Sequence, residues 1–191
     1  MKKLVRKHPL AIRWFHWLNF PLLFLMIWSG TLIYWAYPTY RIGLGDFYLV
    51  KMNLDQTTWK QLGINNRLAE GMALHFFFMW PFAINGFLYV VYLIVSGEWR
   101  AMPEKFNPIQ RLAYIAITLM GAGSLLTGLA IYKPVQLSWL TAMLGGYPMA
   151  RFLHFWITVG FVVFFVIHVI QVIRAGWNNF RAMVIGYEVR P

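Results

Sequence analysis

The 191-residue chain contains no cysteine. That excludes disulfides, thiolate metal sites and any iron–sulfur cluster held by this chain alone. Charge is scarce too. Only 12% of residues are charged, where soluble domains carry about a quarter. The net charge of +11 is of the size seen in nucleic-acid binders, but the Lys and Arg residues flank apolar runs and form no stripe. Nucleic acid is therefore not an expected partner. Lipid phosphates, the anionic groups of a cofactor and another subunit are. There is no low-complexity tract, and no internal repeat stands out.

What the chain has in quantity is apolar side chain: 60% hydrophobic residues and 19% aromatic, with a mean hydropathy of +0.55. This composition predicts an all-α integral membrane protein. Four charge-free runs, residues 14–40, 71–97, 112–132 and 152–173, each reach the ~20 residues that a spanning helix needs. The predicted spans are 14–37, 71–96, 111–132 and 152–174, in one domain with an external loop over 38–70. Trp14, Trp17, Trp35, Trp99, Trp139 and Trp177 fall near span ends, where interfacial anchors belong. The first run is too long for a cleavable signal, carries a histidine and is followed by no small-residue cleavage site, so it reads as a permanent helix. A short surface helix is expected around residues 57–62 of the external loop.

An even number of spans puts both termini on one side. That side carries Lys2, Lys3, Arg6, Lys7, Arg13, Arg100, Lys105, Arg111, Arg174, Arg181 and Arg190. The other carries Arg41, Lys51, Lys60, Arg67, Lys133 and Arg151. The richer side is the cytoplasmic one, giving a four-helix transmembrane bundle with both termini cytoplasmic.

The last span holds two histidines, His154 and His168, 14 residues apart. At about 100° per residue they share a face, and at ~1.5 Å rise they stand ~21 Å apart along the axis. Ionisable residues inside a span are expensive and usually functional. His16 lies near the start of the first span and His75 near the start of the second. With alternating helix directions the four sort by depth into two pairs: His16 with His168 at the cytoplasmic level, His75 with His154 at the external level. His8, beside Pro9 in the basic tail, reads as a surface residue.

Two facing imidazoles at one depth can hold an iron between them. With no carboxylate or thiolate nearby a bare ion lacks further ligands. A haem supplies four from its own ring and leaves two axial positions. Two haems stacked across the membrane follow, with all four histidines as iron ligands. Arg13 and Arg151 each stand three residues before a histidine, on its face and at the membrane edge, where a haem propionate emerges; lipid phosphate is the competing partner. Gly30 and Gly86 fall on the histidine faces of their helices, either as clearance for the haem that the helix does not ligate or as helix-packing glycines.

The arrangement resembles the di-haem cytochromes b. These include bacterial cytochrome b561, the b-type subunits of nickel–iron hydrogenases, formate dehydrogenase gamma subunits and thiosulfate reductase cytochromes b. The resemblance rests on RWFHW (Arg13–Trp17), His75, and RFLH (Arg151–His154) followed by His168. It implies two b haems and a quinone site near the cytoplasmic one. The segment Phe106–Arg111 is similar to the family's aromatic-Asn-x-x-Gln-basic stretch, which makes Asn107 a candidate quinone contact. A helix cap before Pro108 is the alternative role. Asn178 is a second candidate. The runs KPVQLSWL, GGYP and GWNNF resemble cytochromes b that accompany molybdopterin oxidoreductases.

The expected function is electron transfer in a bacterial inner membrane, between a periplasmic oxidoreductase subunit and the quinone pool. The alternatives are a stand-alone cytochrome b561 oxidising a small external reductant and a haem-free membrane anchor. No catalytic residues are expected beyond the possible quinone site.

Overall fold

The computed structural model describes residues 3–36, 39–44, 47–53, 56–61, 63, 67–101 and 107–190. In chain order the elements are β1 (Lys3–Arg6), α1 (Leu10–Tyr34), β2 (Thr39–Leu44), β3 (Phe47–Asn53), α2 (Gln56–Gln61) and α3 (Leu68–Ser96). After a 3-10 turn at Glu98–Ala101 come α4 (Pro108–Tyr132), α5 (Ser138–Met143), α6 (Tyr147–Ala175), α7 (Trp177–Ile185) and β4 (Tyr187–Arg190). Helices α1, α3, α4 and α6 are each long and apolar enough to cross a membrane. The protein is an all-α integral membrane protein, built as a four-helix bundle. Phe24, Phe87, Val95, Ile115 and Val166 are more than half exposed. In lipid that exposure costs nothing, because acyl chains are as apolar as the side chains.

Local chemistry sets the helix ends. At the start of α4 the Asn107 side chain accepts from Gln110 N at 2.8 Å, and Asn107 N donates to Gln110 Oε1 at 3.1 Å. This reciprocal capping box, with Pro108 in the first turn, satisfies donors that the helix cannot. Helix α6 stops at Gly176 (φ 79°), and α7 stops at Gly186 (φ 92°), backbone conformations that side chains disfavour. The first of these turns interrupts the helix, so α7 follows as a short separate helix.

The ends of the chain meet. β1 pairs antiparallel with β4, Lys3 opposite Arg190 and Arg6 opposite Tyr187. Lys7 Nζ lies 2.6 Å from Glu188 Oε2 and 2.8 Å from Asn179 Oδ1. Both termini therefore lie at one end of the bundle, the terminal end below; the other is the far end. In the segment between α1 and α3, β2 and β3 form an antiparallel hairpin that the sequence did not announce. Helix α2 covers Gln56–Gln61, close to the expected 57–62, and Leu62 lies outside the described residues.

The helices pack as two hairpins, α1 along α3 and α4 along α6. Between hairpins the contacts are made by aromatic side chains: Phe20 on Phe165, Tyr34 on Phe155, Phe76 on Tyr132. The hairpins also correspond residue by residue. Helices α1 and α4 each have 25 residues, α3 and α6 each have 29. Counted from the first residue of each helix, Ser29 matches Thr127, Leu32 matches Ala130, Gly71 matches Ala150, and His75 matches His154. The first three of these pairs are all buried. This corrects the expectation that the chain has no internal repeat. The repeat lies in helix length, in buried positions and in scattered identities: Gly30 with Gly128, Ile33-Tyr34 with Ile131-Tyr132, and Leu74-His75-Phe76 with Leu153-His154-Phe155.

Candidate functional site

The structure brings the four span histidines together as two couples. His16 and His168 have ring centroids 6.1 Å apart; His75 and His154 are 6.2 Å apart. Two metal–imidazole bonds of ~2 Å placed in line, with the ring radii added, separate ring centres by about 6 Å. Both couples have that spacing. Among the described residues there is no group of three or more His, Cys, Asp or Glu that could hold a metal ion. A bare ion between two imidazoles would lack ligands, whereas a macrocycle that brings four of its own fits.

The surroundings suit a flat apolar ring. A cavity beside His75 and His154 is lined by Met26 of α1, Phe82 of α3, Ser124 of α4, and Thr158 and Phe161 of α6, so all four spans contribute. At the terminal end Phe164 stacks on His168 with the rings 6° from parallel, and Trp17 stands edge-on to His16 at 5.1 Å. His75 and His154 match in the internal repeat, so their couple lies where the two hairpins meet. The matches of His16 and His168 are Tyr114 and Tyr89. The terminal-end couple also bridges the two hairpins, from α1 to α6, but joins positions that do not match in the repeat.

The sequence pointed to Gly30 but not to Ser29, Thr127, Gly128 or Asn85. Ser29 Oγ lies 3.0 Å from His75 Nδ1, and Thr127 Oγ1 lies 2.9 Å from His154 Nδ1. Beside them, a Cβ added to Gly30 would sit 3.5 Å from His75 Cε1, and one added to Gly128 would sit 3.3 Å from His154 Cε1. The signal was present as the dipeptides Ser29-Gly30 and Thr127-Gly128, but it means nothing until the partner helix is known. Asn85 is buried and donates from Nδ2 to Phe15 O at 3.3 Å, fixing α3 against the carbonyl one residue before His16.

The remaining expected residues have identifiable roles. Gly30 gives room to the His75 ring, while around Gly86 there is open space within 4 Å. Arg13 donates to Val184 O at the end of α7, and its Nε is buried without a partner among the described residues. Arg151 stands at the far end with its guanidinium 5.9 Å from the Tyr147 ring centre. Asn107 is committed to the cap of α4, and Phe106 lies outside the described residues. Asn178 holds the C-terminal strand: Nδ2 donates to Val189 O at 2.9 Å and Oδ1 accepts from Val189 N at 3.1 Å. His8 donates its backbone N–H to Gly186 O at 3.3 Å, beside Lys7 N at 2.9 Å.

A curated relative, the putative protein-methionine-sulfoxide reductase subunit YedZ1 of Azospira oryzae, is 28% identical over 196 residues, covering 90% of this chain and 92% of the relative. No solved structure matches. The pattern of prokaryotic cytochrome b561 matches residues 7–186. With that match over nearly the whole length, the chain belongs to the prokaryotic cytochrome b561 family, membrane subunits that transfer electrons through haem b.

Proposed function

We propose that the protein binds two b haems, one between His75 and His154 and one between His16 and His168. Through them it passes electrons between the membrane quinone pool and an oxidoreductase subunit at the far face. The observation that carries this reading is the equal spacing of the two imidazole couples, 6.1 and 6.2 Å, at two depths of one bundle. When bound, the haems supply one-electron carriers at those depths. The four histidines would hold the haem irons, aromatic rings would exclude water, and Arg13 and Arg151 would stand as cations at the two membrane edges for propionates.

The Lys and Arg bias supports a cytoplasmic terminal end and a periplasmic far end, in a bacterial inner membrane. A quinone head group at the terminal end would exchange its protons with the cytoplasm. The likeness of residues 106–111 to the family segment supports Asn107 at the margin of that site, and Asn178 stands at the same end. The relative's name, a reductase subunit, favours electrons leaving this chain toward a partner, and the runs resembling those of molybdopterin-enzyme cytochromes support a partner of that type.

The test is a dithionite-reduced difference spectrum with a pyridine haemochrome count on purified protein. Two haems per chain are expected. His154→Ala should lose one and keep the other; His168→Ala should lose the opposite one. A full complement of pigment in either variant refutes the assignment. A second subunit should co-purify under mild detergent.

A further inference from the structure

Ser29 and Thr127 occupy matching positions in the two hairpins and touch matching atoms. Ser29 Oγ lies 2.7 Å from Leu25 O, and Thr127 Oγ1 lies 2.7 Å from Gly123 O. Each carbonyl is four residues back on the same helix. A hydroxyl has one hydrogen and two lone pairs, and a carbonyl can only accept. The hydrogen is therefore committed to the carbonyl, and the hydroxyl is left to accept from the imidazole. At His75 and at His154, Nδ1 must be the donor. The neutral ring is held as the Nδ1–H tautomer, with the Nε2 lone pair left for a metal.

The glycine after each hydroxyl completes the arrangement. Gly30 and Gly128 leave room for the ring edge, at 3.5 and 3.3 Å from Cε1 to an added Cβ. A serine or threonine within a spanning helix ordinarily satisfies itself on its own backbone and needs no partner. Here two of them, on two helices, each meet the one histidine of the adjacent helix at that level. The terminal-end couple is built differently. His16 Nδ1 is buried with no hydrogen-bond partner among the described residues.

We propose that Ser29 and Thr127 are positioning residues for the far-end haem: they aim Nε2 of His75 and His154 at the iron and strengthen both ligands as electron donors. This rests on the haem assignment above and extends it to two residues that touch no iron. An imidazole that donates from Nδ1–H to an acceptor is a more basic ligand, which favours the oxidised iron. Losing the acceptor raises the midpoint potential of that haem and leaves the other unmoved.

The experiment is a redox titration of the visible α-band in wild type, Ser29→Ala, Thr127→Val, the double variant and Thr127→Ser. The two haems are assigned through His168→Ala, which keeps the far-end one. An upward shift of the far-end potential is expected in Ser29→Ala and Thr127→Val, larger in the double variant, with Thr127→Ser at the wild-type value. An unmoved potential, or two potentials moving together, overturns the proposal. If Thr127→Val loses the far-end haem, Thr127→Ser decides. Retention there supports the hydroxyl's role, and loss there overturns it, because shape alone is then responsible. A wild type without haem would sink the underlying assignment, and this inference with it.

Discussion

Gly71 is where packing and the proposed haem site are coupled most directly, and Gly71→Ala separates them. A Cβ added there would lie 2.9 Å from Leu32 Cβ, 3.0 Å from Ile33 N and 3.1 Å from Ser29 O. Carbon atoms pack best at ~3.5–4.0 Å, so the helices must part by about 0.6–1 Å. Two of the three neighbours are backbone atoms and cannot rotate away. Ser29 moves with α1, and its 3.0 Å contact with His75 Nδ1 stretches past the ~3.2 Å limit of a good hydrogen bond. Overpacking of this kind costs ~1–3 kcal/mol, and the lost hydrogen bond adds about 1 kcal/mol. Alanine's better helix propensity offsets about 1 kcal/mol. A net loss of ~1–3 kcal/mol remains, by the same principles. The second hairpin carries alanine at the matching position, Ala150, but faces it with Ala130 in place of a leucine. Gly121→Ala is the control, because nothing lies within 4 Å of its added Cβ. Thermal unfolding in detergent, followed by circular dichroism, reads the stability. The dithionite difference spectrum reads the far-end haem. Gly71→Ala should be less stable than Gly121→Ala and depleted in the far-end haem. If the two variants match in melting and in pigment, the coupling between helix spacing and the histidine is refuted.

Three further outcomes are expected. Lys7→Met leaves the buried Glu188 carboxylate without the ammonium now 2.6 Å away. It should loosen the β1–β4 pair by ~1–3 kcal/mol, read as faster amide exchange over residues 3–6, and Glu188→Gln should be milder than Glu188→Ala. Asn107→Ala removes the cap of α4 and should cost about 1 kcal/mol in a melt, with Asn107→Asp retaining most of the stability. A quinone contact at the same residue would show as a slower quinol reaction in Asn107→Asp despite its intact cap. Gly128→Ala pushes on a ring held by Thr127, with 3.3 Å between the added Cβ and His154 Cε1, while Gly30→Ala meets His75 at an ordinary 3.5 Å. The first should therefore perturb the far-end haem spectrum more than the second.

Much of the architecture is legible along the chain because lipid imposes a simple rule. Any segment of about 20 residues without charge must satisfy its backbone within itself, and a helix does so. The four spans, the common side of the termini and the depth of each histidine all follow from that rule and from the rise per residue. His154 and His168 share a face because 14 residues fall close to four whole turns, a property of one helix that needs no neighbour. Composition, by excluding thiolate and leaving few carboxylates, already directed the imidazoles toward an iron that brings its own ring.

Lateral placement was not legible. Which helix lies beside which depends on contacts between residues far apart in sequence, and only the folded bundle decides it. Ser29 and Thr127 read as ordinary self-satisfied hydroxyls until α3 and α6 bring His75 and His154 to 3.0 and 2.9 Å. The internal repeat is hard to see for a related reason: its identities, such as Ile33-Tyr34 with Ile131-Tyr132 and Leu74-His75-Phe76 with Leu153-His154-Phe155, are scattered and align only once the helix ends are known. The sequence alone thus determined what crosses the membrane and at what depth its histidines stand. The tertiary structure decided which groups face each other, because a hydrogen bond or a close glycine contact exists only once two helices share a seam.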